Sequence, residues 1–382
     1  MFLSQYTFHI TTFFLLLTVS CTPKHAHAHK KQAEIHLYPS FVDAQGRWKL
    51  HGRVLYKSRW ITPQTSGKLR NMFSMFRRFT RKGVPFLRLT IHVSQQKREV
   101  LTDREGRFQL TGQRSRTKAR PSPSSSPSQT PSSKATSTSP QALSFGQTQV
   151  QTPRSMPAST LNTEHKSCTL PTWWSALHPK PQKRIKASGY IPILVARSPQ
   201  QTNTVTLLPT TSFLVREHTQ ESGMHVISDI DDTLIWTHVT QKAKMLKNMM
   251  FSNATQVKVI DGAKTFLRHA LCRTNTPGTL HYLSGSPRQL FDRIRGIFSL
   301  RQFPLGSLTL KPITGPKTYP LGAQQKYKIE SIQRIMRAFP KRRFLMLGDN
   351  GEHDPHIYNQ IRKQFPKQIK AIFIHQVKSQ TT

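Results

Sequence analysis

An apolar run that ends in clustered carboxylates constrains the fold of this chain more than any other stretch. Residues 226–234 contain Asp229, Asp231 and Asp232, in a protein with 17 acidic residues against 57 basic ones. Buried strands do not end in such clusters by default, because like charges repel each other and are costly to desolvate. A hard cation such as Mg²⁺ makes the cluster favourable, since it prefers oxygen ligands. Asp229 and Asp231 also lie on the same side of an extended backbone, which indicates a chemical site.

The pattern from Met224 onward alternates strands with helices, as in an α/β fold with a mostly parallel sheet. Strands are predicted at residues 224–230, 280–283, 343–347 and 371–374. Ser284 follows the second of these strands, and Asp349 follows the third. Because open α/β sheets bind ligands beyond the carboxyl ends of their strands, both residues are expected to lie near the acidic run.

The N-terminal part of the chain has a different pattern. Short β-prone runs at residues 33–112 predict a small antiparallel β domain, with a more helical, basic stretch at 71–82. Ser, Thr, Pro and Gln dominate residues 113–165, which cannot bury enough apolar surface to fold, so a disordered linker or insertion is expected. Residues 166–223 are predicted to hold connecting strands that complete the β domain, and residues 224–377 to form the α/β domain.

The first residues have the pattern of an export signal. The apolar run from Ile10 to Val19 is too short to span a bilayer comfortably, and residues 1–21 are predicted to be a signal peptide. Cleavage before Cys21 would resemble a bacterial lipoprotein site, whereas cleavage after Ala28 would follow an A-x-A pattern. Lipidation of Cys21 stays open. The protein is expected to be exported and to be periplasmic or membrane-anchored, otherwise secreted.

Two further cysteines, Cys168 and Cys272, could form one disulfide, but their spacing does not show that they are close. Cys272 falls in an apolar helical pattern. We therefore expect a packed thiol at this position.

The formal net charge of +40 implies anionic partners. Phospholipid, nucleic acid and cell-surface polymers all qualify, and a solvated basic face is the alternative, because net charge bears on association rather than on fold. Residues 76–82 interleave aromatic and basic side chains. This stretch is predicted either to contact a membrane interface or to pack as an ordinary helix.

The motifs, taken in order, resemble those of the haloacid dehalogenase-like phosphatase superfamily. Residues 229–233 correspond to the first motif, and Ser284 at a strand end corresponds to the second. The third is a lysine near a helix start; Lys328 fits better than Lys326, because it directly precedes the apolar helix pattern. Residues 348–354 correspond to the fourth motif. The resemblance implies a haloacid dehalogenase-like Rossmannoid catalytic domain.

A closer resemblance is to the actin-patch-associated phosphatidate phosphatase family. It rests on residues 228–233, 281–287, 303–308 and 348–358, and on residues 52–54 and 102–106 in the leading β region. Arg288 stands where the family pattern usually has Trp, and Asn350 where it usually has Ser. These departures bear on substrate recognition more than on the chemistry.

The resemblance implies a role for each matching residue. Asp229 would attack phosphorus, because a covalent aspartyl-phosphate divides one difficult displacement into two easier ones. Asp231 would protonate the leaving oxygen and later deprotonate the hydrolytic water. Ser284 and Lys328 would hold the phosphoryl oxygens while charge develops on them.

The same resemblance implies a Mg²⁺ site. The cation would bridge Asp229 and the phosphate, with Asp349 and the backbone carbonyl of Asp231 as further ligands. Asp354 would support these ligands through water or through Lys328.

Neighbouring polar residues are expected to have other roles. Asp232 is predicted to be structural, at a helix start or behind the metal ligands. Ser286 is predicted to cap a helix that has Pro287 in its first turn. Glu352 and His353 could be catalytic, but a loop charge and a hydrogen-bonded histidine fit the pattern better.

Taken together, the patterns predict an exported, Mg²⁺-dependent phosphatase of phosphatidate or a similar lipid phosphomonoester, with an anionic lipid or membrane surface as its partner. The residues themselves support phosphoryl transfer, and the resemblance supplies the lipid substrate. One alternative is a phosphatase of soluble or nucleic-acid phosphomonoesters. The other is a basic module that binds nucleic acid or another anionic polymer without turnover.

Overall fold

The structure is a computed structural model that describes two regions of the chain in detail. The described residues are 31–59, 61, 67–94, 96–113, 170–177, 190–198, 205–208, 210–215, 224–237, 251–272, 278–312 and 324–377. The predicted signal peptide, Cys21 and nearly all of the predicted linker lie outside these ranges, so those predictions stay predictions.

Two sheets make up the N-terminal region. One has four strands in the order β6, β3, β1, β8, and the other has five in the order β2, β9, β7, β4, β5. The strands are β1 Gln32–Tyr38, β2 Ser40–Phe41, β3 Arg47–Tyr56, β4 Arg88–Val93, β5 Gln96–Leu101, β6 Arg107–Gln113, β7 Tyr190–Arg197, β8 Thr206–Leu207 and β9 Thr211–Val215. Two helices accompany them, α1 Lys68–Thr80 and α2 Trp173–Leu177.

A two-residue period separates the two faces of the four-stranded sheet. In β3, Trp48, Leu50 and Val54 are buried, whereas His51 and Arg53 between them are half-buried. Successive side chains of a strand point to opposite faces, so the two sets face opposite ways. The buried set packs into one apolar core with residues of the five-stranded sheet. The polar set is left on the other face.

Strands that follow the predicted linker belong to these same sheets. The β7 strand pairs antiparallel with both β4 and β9, and β8 pairs parallel with β1. Strands β7, β8 and β9 lie within residues 166–223, where connecting strands were predicted. The β1–β8 and β2–β9 pairs are parallel, so the sheets are not purely antiparallel as expected.

The C-terminal region contains one parallel sheet of five strands in the order β12, β11, β10, β13, β14. The strands are β10 His225–Asp229, β11 Leu280–Pro287, β12 Ser307–Lys311, β13 Phe344–Asp349 and β14 Ile369–His375. The helices are α3 Ala263–Leu271, α4 Phe291–Leu300, α5 Gln324–Ala338 and α6 Asp354–Gln364, with a 3-10 turn at Arg288–Leu290 before α4. The predicted α/β fold is confirmed.

Helices cover both faces of this parallel sheet. Val226 belongs to one apolar core and Ile227 to another, so adjacent residues of β10 are buried on opposite faces. A strand buried on both sides needs a continuous apolar run rather than an alternating one. The strand order reverses direction between β10 and β13, and such a switch point is where α/β sheets bind ligands.

Cys272 is disulfide-bonded, so the expectation of a packed thiol is wrong. The residue lies just beyond the last residue of α3, where it is the C-cap of the helix. In the described ranges, no helix is both long enough and apolar enough to cross a membrane.

Candidate active site

The carboxyl ends of three neighbouring strands bring the predicted site residues together. The central strand β10 ends at Asp229, β11 contains Ser284 on one side, and β13 ends at Asp349 on the other. Lys328 reaches this point from α5, and Asp354 from the first residue of α6. Together with Asp231, which follows β10, these residues form what we call the acidic site.

A single buried lysine links the carboxylates of the acidic site. Lys328 Nζ lies 2.7 Å from Asp229 Oδ1, 2.7 Å from Asp354 Oδ1 and 3.2 Å from Glu352 Oε2. Burial lowers the pKa of Lys328, but the surrounding carboxylates outweigh it and raise the pKa well above its ordinary value. Lys328 therefore stays charged. Lys326, the alternative lysine, is exposed.

Three buried carboxylates carry more negative charge than this lysine offsets. One oxygen each from Asp229, Asp349 and Asp354 lies within 4.8 Å of the others. Burial raises the pKa of Asp229 well above its ordinary value against the opposing charge of Lys328. Burial, reinforced by the charge of Asp354, raises the pKa of Asp349 to about 7. Such a cluster has to hold protons or a cation.

The donor set of the acidic site fits a hard divalent cation. Asp349 Oδ1 accepts hydrogen bonds from the backbone N–H groups of Gly351 (2.7 Å) and Glu352 (3.1 Å). The other oxygen of Asp349 and Oδ2 of Asp229 are buried and accept no hydrogen bond from any described residue. Because a buried acceptor without a partner is costly, these two oxygens are suited to be ligands. Asp229, Asp349 and Asp354 are therefore the residues that could hold Mg²⁺.

Two serines hold the carboxyl group of Asp231. Ser284 Oγ donates to Asp231 Oδ2 at 2.7 Å, and Ser286 Oγ donates to the same oxygen at 3.0 Å. Burial raises the pKa of Asp231, and the hydrogen bond from Ser284 opposes that shift. The prediction that Ser286 caps a helix is wrong. Strand β11 continues to Pro287, and the following 3-10 turn has no side-chain cap, so the hydroxyl is available to Asp231.

Asp232 shapes the turn that carries Asp231. It has a left-handed backbone conformation with φ of 52°, and its Oδ1 accepts hydrogen bonds from the backbone N–H (2.7 Å) and hydroxyl (3.2 Å) of Thr237. His375 Nδ1 lies 2.7 Å from its backbone carbonyl oxygen. These contacts agree with the predicted structural role, although a turn rather than a helix begins here.

Glu352 contacts the acidic site, and Gln324 contacts Glu352. The sequence predicted Glu352 to be a loop charge and did not indicate Gln324. Gln324 Nε2 donates to both carboxylate oxygens of Glu352, at 2.9 and 2.8 Å, and Glu352 also contacts Lys328. A side chain at Gly285 would overlap Gln324, so this glycine permits the approach of α5 to β11. The position of Glu352 within the fourth motif was the sequence signal that could have indicated this role. His353, the neighbouring residue, is exposed.

The basic aromatic stretch at 76–82 divides into an exposed and a buried part. Its residues up to Thr80 lie in α1, where Leu69, Phe73, Phe76 and Phe79 form an exposed apolar stripe. Two arginines expected at the interface are buried instead. Arg78 pairs with Asp292 at 3.1 Å and Arg81 with Glu34 at 2.9 Å, because carboxylates of neighbouring elements lie within reach.

The fold and the acidic site define an α/β domain with a carboxylate centre at the switch point of a parallel sheet. Residues 224–376 of the chain match the family model described as "Phosphatidate phosphatase APP1, catalytic domain". It is this C-terminal domain of the chain that is similar to the APP1-like phosphatidate phosphatase family.

Two curated fungal proteins are similar to this chain. Phosphatidate phosphatase APP1 of Saccharomyces cerevisiae is 34% identical over 161 residues, which is 40% of this chain and 26% of that protein. An uncharacterised protein of Schizosaccharomyces pombe is 30% identical over 159 residues, or 41% of this chain and 26% of that protein. The chain thus covers about a quarter of the length of these relatives.

Proposed function

We propose that the protein is a Mg²⁺-dependent phosphatase that acts through an aspartyl-phosphate and hydrolyses phosphatidate or a related lipid phosphomonoester. The observation that carries this proposal is the carboxylate of Asp229. One of its oxygens contacts Lys328 and the other is buried without a hydrogen-bond partner among the described residues. A nucleophile needs an oxygen that no hydrogen bond occupies. A neighbouring cation offsets the negative charge that develops on the phosphoryl group.

The scaffold we propose is haloacid dehalogenase-like. Support comes from the parallel strand order of the C-terminal sheet and from the four motifs at strand ends and helix starts. Asp229 and Asp349 end the adjacent strands β10 and β13, and Ser284 lies within β11 on the other side of β10.

In the first step Asp229 attacks phosphorus and Asp231 donates a proton to the leaving oxygen. Burial raises the pKa of Asp231, which favours the protonated form that a general acid needs. The hydroxyl groups of Ser284 and Ser286 hold this carboxyl group in place before the substrate arrives.

In the second step Asp231, now a carboxylate, accepts a proton from the water that attacks the aspartyl-phosphate, and Asp229 is released. Ser284 and Lys328 hold the phosphoryl oxygens in both steps, since Ser284 already contacts Asp231 and Lys328 already contacts Asp229. Glu352 and Gln324 keep Lys328 oriented.

Asp229, Asp349 and the backbone carbonyl of Asp231 would hold Mg²⁺, with Asp354 in support. When bound, the cation neutralises charge on the phosphoryl group. Its positive charge would also relieve the repulsion among the three buried carboxylates.

An anionic bilayer is the surface that we propose for binding. The apolar stripe of α1 could enter the interface while Arg70 and Arg77 of the same helix remain exposed beside it. Each basic residue near an anionic membrane contributes on the order of 1 kcal/mol. Export of the protein remains a proposal from its first 28 residues, and mass spectrometry of the mature N-terminus would distinguish cleavage at Cys21 from cleavage after Ala28.

The proposal is tested by phosphate release from phosphatidate vesicles and from soluble phosphomonoesters, each with Mg²⁺ and with EDTA. We expect Mg²⁺-dependent release that is faster from the vesicles. Equal or faster release from soluble or nucleic-acid phosphomonoesters would contradict the lipid substrate. If neither substrate is hydrolysed, the protein is instead a basic binding module, whose affinity should fall steeply with salt.

A further inference from the structure

A second cavity with a different character lies away from the acidic site. Its volume is about 710 Å³, and it opens between the polar face of the four-stranded sheet and the 3-10 turn that follows β11. None of the acidic-site residues lines it. We call it the arginine cavity, because Arg53, Arg81, Arg107 and Arg288 line it together with Arg78.

The floor of the arginine cavity places two like charges opposite each other. Arg53 of β3 is the direct cross-strand partner of Arg107 of β6. Like charges in such a pair are unfavourable. Arg107 has a partner in Glu105, whereas Arg53 contacts only the backbone carbonyl of Glu105, at 3.0 Å, among the interactions of the described residues. The charges of Glu105 and Asp103 oppose that of Arg107 at Arg53, but neither carboxylate forms an ion pair with Arg53 in the described part of the chain. The sheet therefore presents an arginine charge that is only partly offset.

The opposite wall adds a third guanidinium. Arg288 lies over the ring of Tyr38, 5.0 Å from its centroid, and its Nε donates to the carbonyl of Leu310 at 3.3 Å. Neither contact supplies a negative charge. Burial lowers the pKa of Arg288 from its high ordinary value, and a neighbouring tyrosine is the largest opposing influence.

A buried donor at the edge of the cavity provides independent support for an anionic ligand. Arg81 donates through Nη2 to Glu34 and to the carbonyl of Tyr56, both at 2.9 Å. Its Nη1 is buried and has no hydrogen-bond partner in the described part of the chain. The side chain is only 3% exposed. A buried guanidinium nitrogen without an acceptor is costly, and an anion in the cavity would satisfy it.

The remaining lining is partly polar, with Thr102, Asp103 and Gln109, and partly apolar. Leu55, Val100 and Phe108 line the cavity, and so do Phe86 and Leu101, which are 54% and 52% exposed. A small inorganic anion would leave this surface in contact with water. A ligand with both a charged head and a hydrocarbon part would cover both kinds of wall.

We propose that the arginine cavity binds the phosphate head and part of an acyl chain of a lipid phosphate, at a place separate from the acidic site. The volume is within the range of small-ligand pockets. This inference goes beyond the proposed function, because it concerns binding and does not require turnover.

The test measures binding to the full-length chain in an Asp229→Asn background, so that a lipid phosphate is not consumed if the proposed chemistry is right. The probe is dioctanoyl phosphatidate with a photoreactive diazirine in one acyl chain, and labelled peptides are mapped by mass spectrometry. We expect label on peptides that contain Phe86 or Leu101. Label confined to α1 or to the acidic site would overturn the proposal.

Affinity is then measured for Arg53→Gln and for its matched control, Lys49→Gln. Lys49 is on the same strand and the same face, is exposed and does not line the cavity. Arg53→Gln should weaken dioctanoyl phosphatidate binding at least about tenfold, since hydrogen bonds to charged groups are the strong ones. Lys49→Gln should change it less than about twofold on the same scale. Equal losses in both variants would indicate unspecific charge attraction and overturn the proposal.

Two further measurements distinguish a loss of lipid binding from a loss of folding, and lipid phosphate binding from the binding of either of its parts. Arg53→Gln removes the repulsion with Arg107, so its melting temperature without ligand should not fall below that of the parent; if it does fall, Arg288→Gln serves in its place. Inorganic phosphate and dioctanoylglycerol should each bind far more weakly than dioctanoyl phosphatidate. Equal binding of inorganic phosphate would overturn the lipid assignment.

Discussion

In the acidic site Lys328 contacts two of the three clustered buried carboxylates, Asp229 and Asp354, whereas in the arginine cavity Arg53 faces Arg107 on the neighbouring strand. Each place leaves charge of one sign incompletely offset by the described residues around it. The acidic site is built at strand ends from side chains that converge on one point. The arginine cavity is built from side chains spread over one face of a sheet and a facing turn.

The comparison shows that an excess of charge of one sign indicates a ligand of the opposite sign. The arrangement of the charged groups indicates the size of that ligand. Oxygen ligands within 4.8 Å of one another suit a compact cation. Guanidinium groups above an apolar wall suit a larger anion with a hydrocarbon part. A protein with such sites can hold a metal and an anionic lipid at different places.

The largest expected effect is on proton transfer in the acidic site. Asp231→Asn should lower kcat about 10²- to 10⁴-fold, because the amide cannot donate the proton that the leaving oxygen needs. The accompanying loss in kcat/KM, which reports the first step, should shrink for a leaving group of low pKa, because such a group does not need that proton. The loss in kcat/KM is the one compared between leaving groups, because Asp231 also acts in the second step. Ser286→Ala, which removes one of two hydrogen bonds to Asp231, is the control and should lower kcat much less. An equal loss for every leaving group would contradict the assignment.

The second effect tests how the acidic site balances its charge. Lys328→Met should lower the free energy of unfolding by about 3–5 kcal/mol in EDTA, because it leaves buried carboxylates without their cation. Mg²⁺ should restore part of this loss. Lys326→Met, two residues away and exposed, should change stability by less than about 0.5 kcal/mol. Equal effects of the two substitutions in urea unfolding would refute this account of the balance.

The third effect concerns the close approach that places Asp354. A Cβ at Gly348 would lie 2.6 Å from Asp354 Oδ2 and 2.7 Å from a ring carbon of Tyr358. Gly348→Ala should therefore destabilise the protein by about 1–3 kcal/mol and weaken Mg²⁺ binding. At Gly296 in α4 the nearest atom is 3.6 Å away, so Gly296→Ala should be neutral or stabilise by about 0.5–1 kcal/mol. Calorimetry of both variants measures the difference.

The smallest effect is a pH dependence in the arginine cavity. Burial lowers the pKa of His36 to about 3, and nearby arginine charges contribute. The unfolded chain takes up a proton below pH 6.5 while the folded chain does not, so this residue should cost about 1.4 kcal/mol of stability per pH unit as pH falls. His36→Gln should reduce the slope between pH 5.5 and 4.5 by about that amount. An unchanged slope in urea titrations would show that His36 does not keep this neutral state.

Much of the C-terminal fold and acidic site could be predicted because their determinants are local. A strand buried on both faces needs the continuous apolar run before Asp229, and helical periodicity selects Lys328, which is buried, over the exposed Lys326. The order of the motifs along the chain then predicted that Ser284 and Asp349 lie near Asp229. In the structure they are on β11 and β13, the two strands that flank β10.

The parts that could not be predicted depend on contacts between distant residues. Gln324 and Glu352 meet through the packing of α5 against the loop after β13, and Ser286 turns to Asp231 because β11 continues through Pro287. Likewise, the register that opposes Arg53 and Arg107 is a property of the β3–β6 pair, which local composition does not specify.

The most direct test of the proposed chemistry is to identify the residue that becomes phosphorylated. The protein is mixed with phosphatidate vesicles and Mg²⁺, quenched in acid and reduced with borohydride, which converts an aspartyl-phosphate to homoserine. Peptide mass spectrometry should find homoserine at position 229 and none in the Asp229→Asn variant, which should release no phosphate. Rapid turnover with no homoserine at 229, or undiminished turnover by Asp229→Asn, would contradict the account.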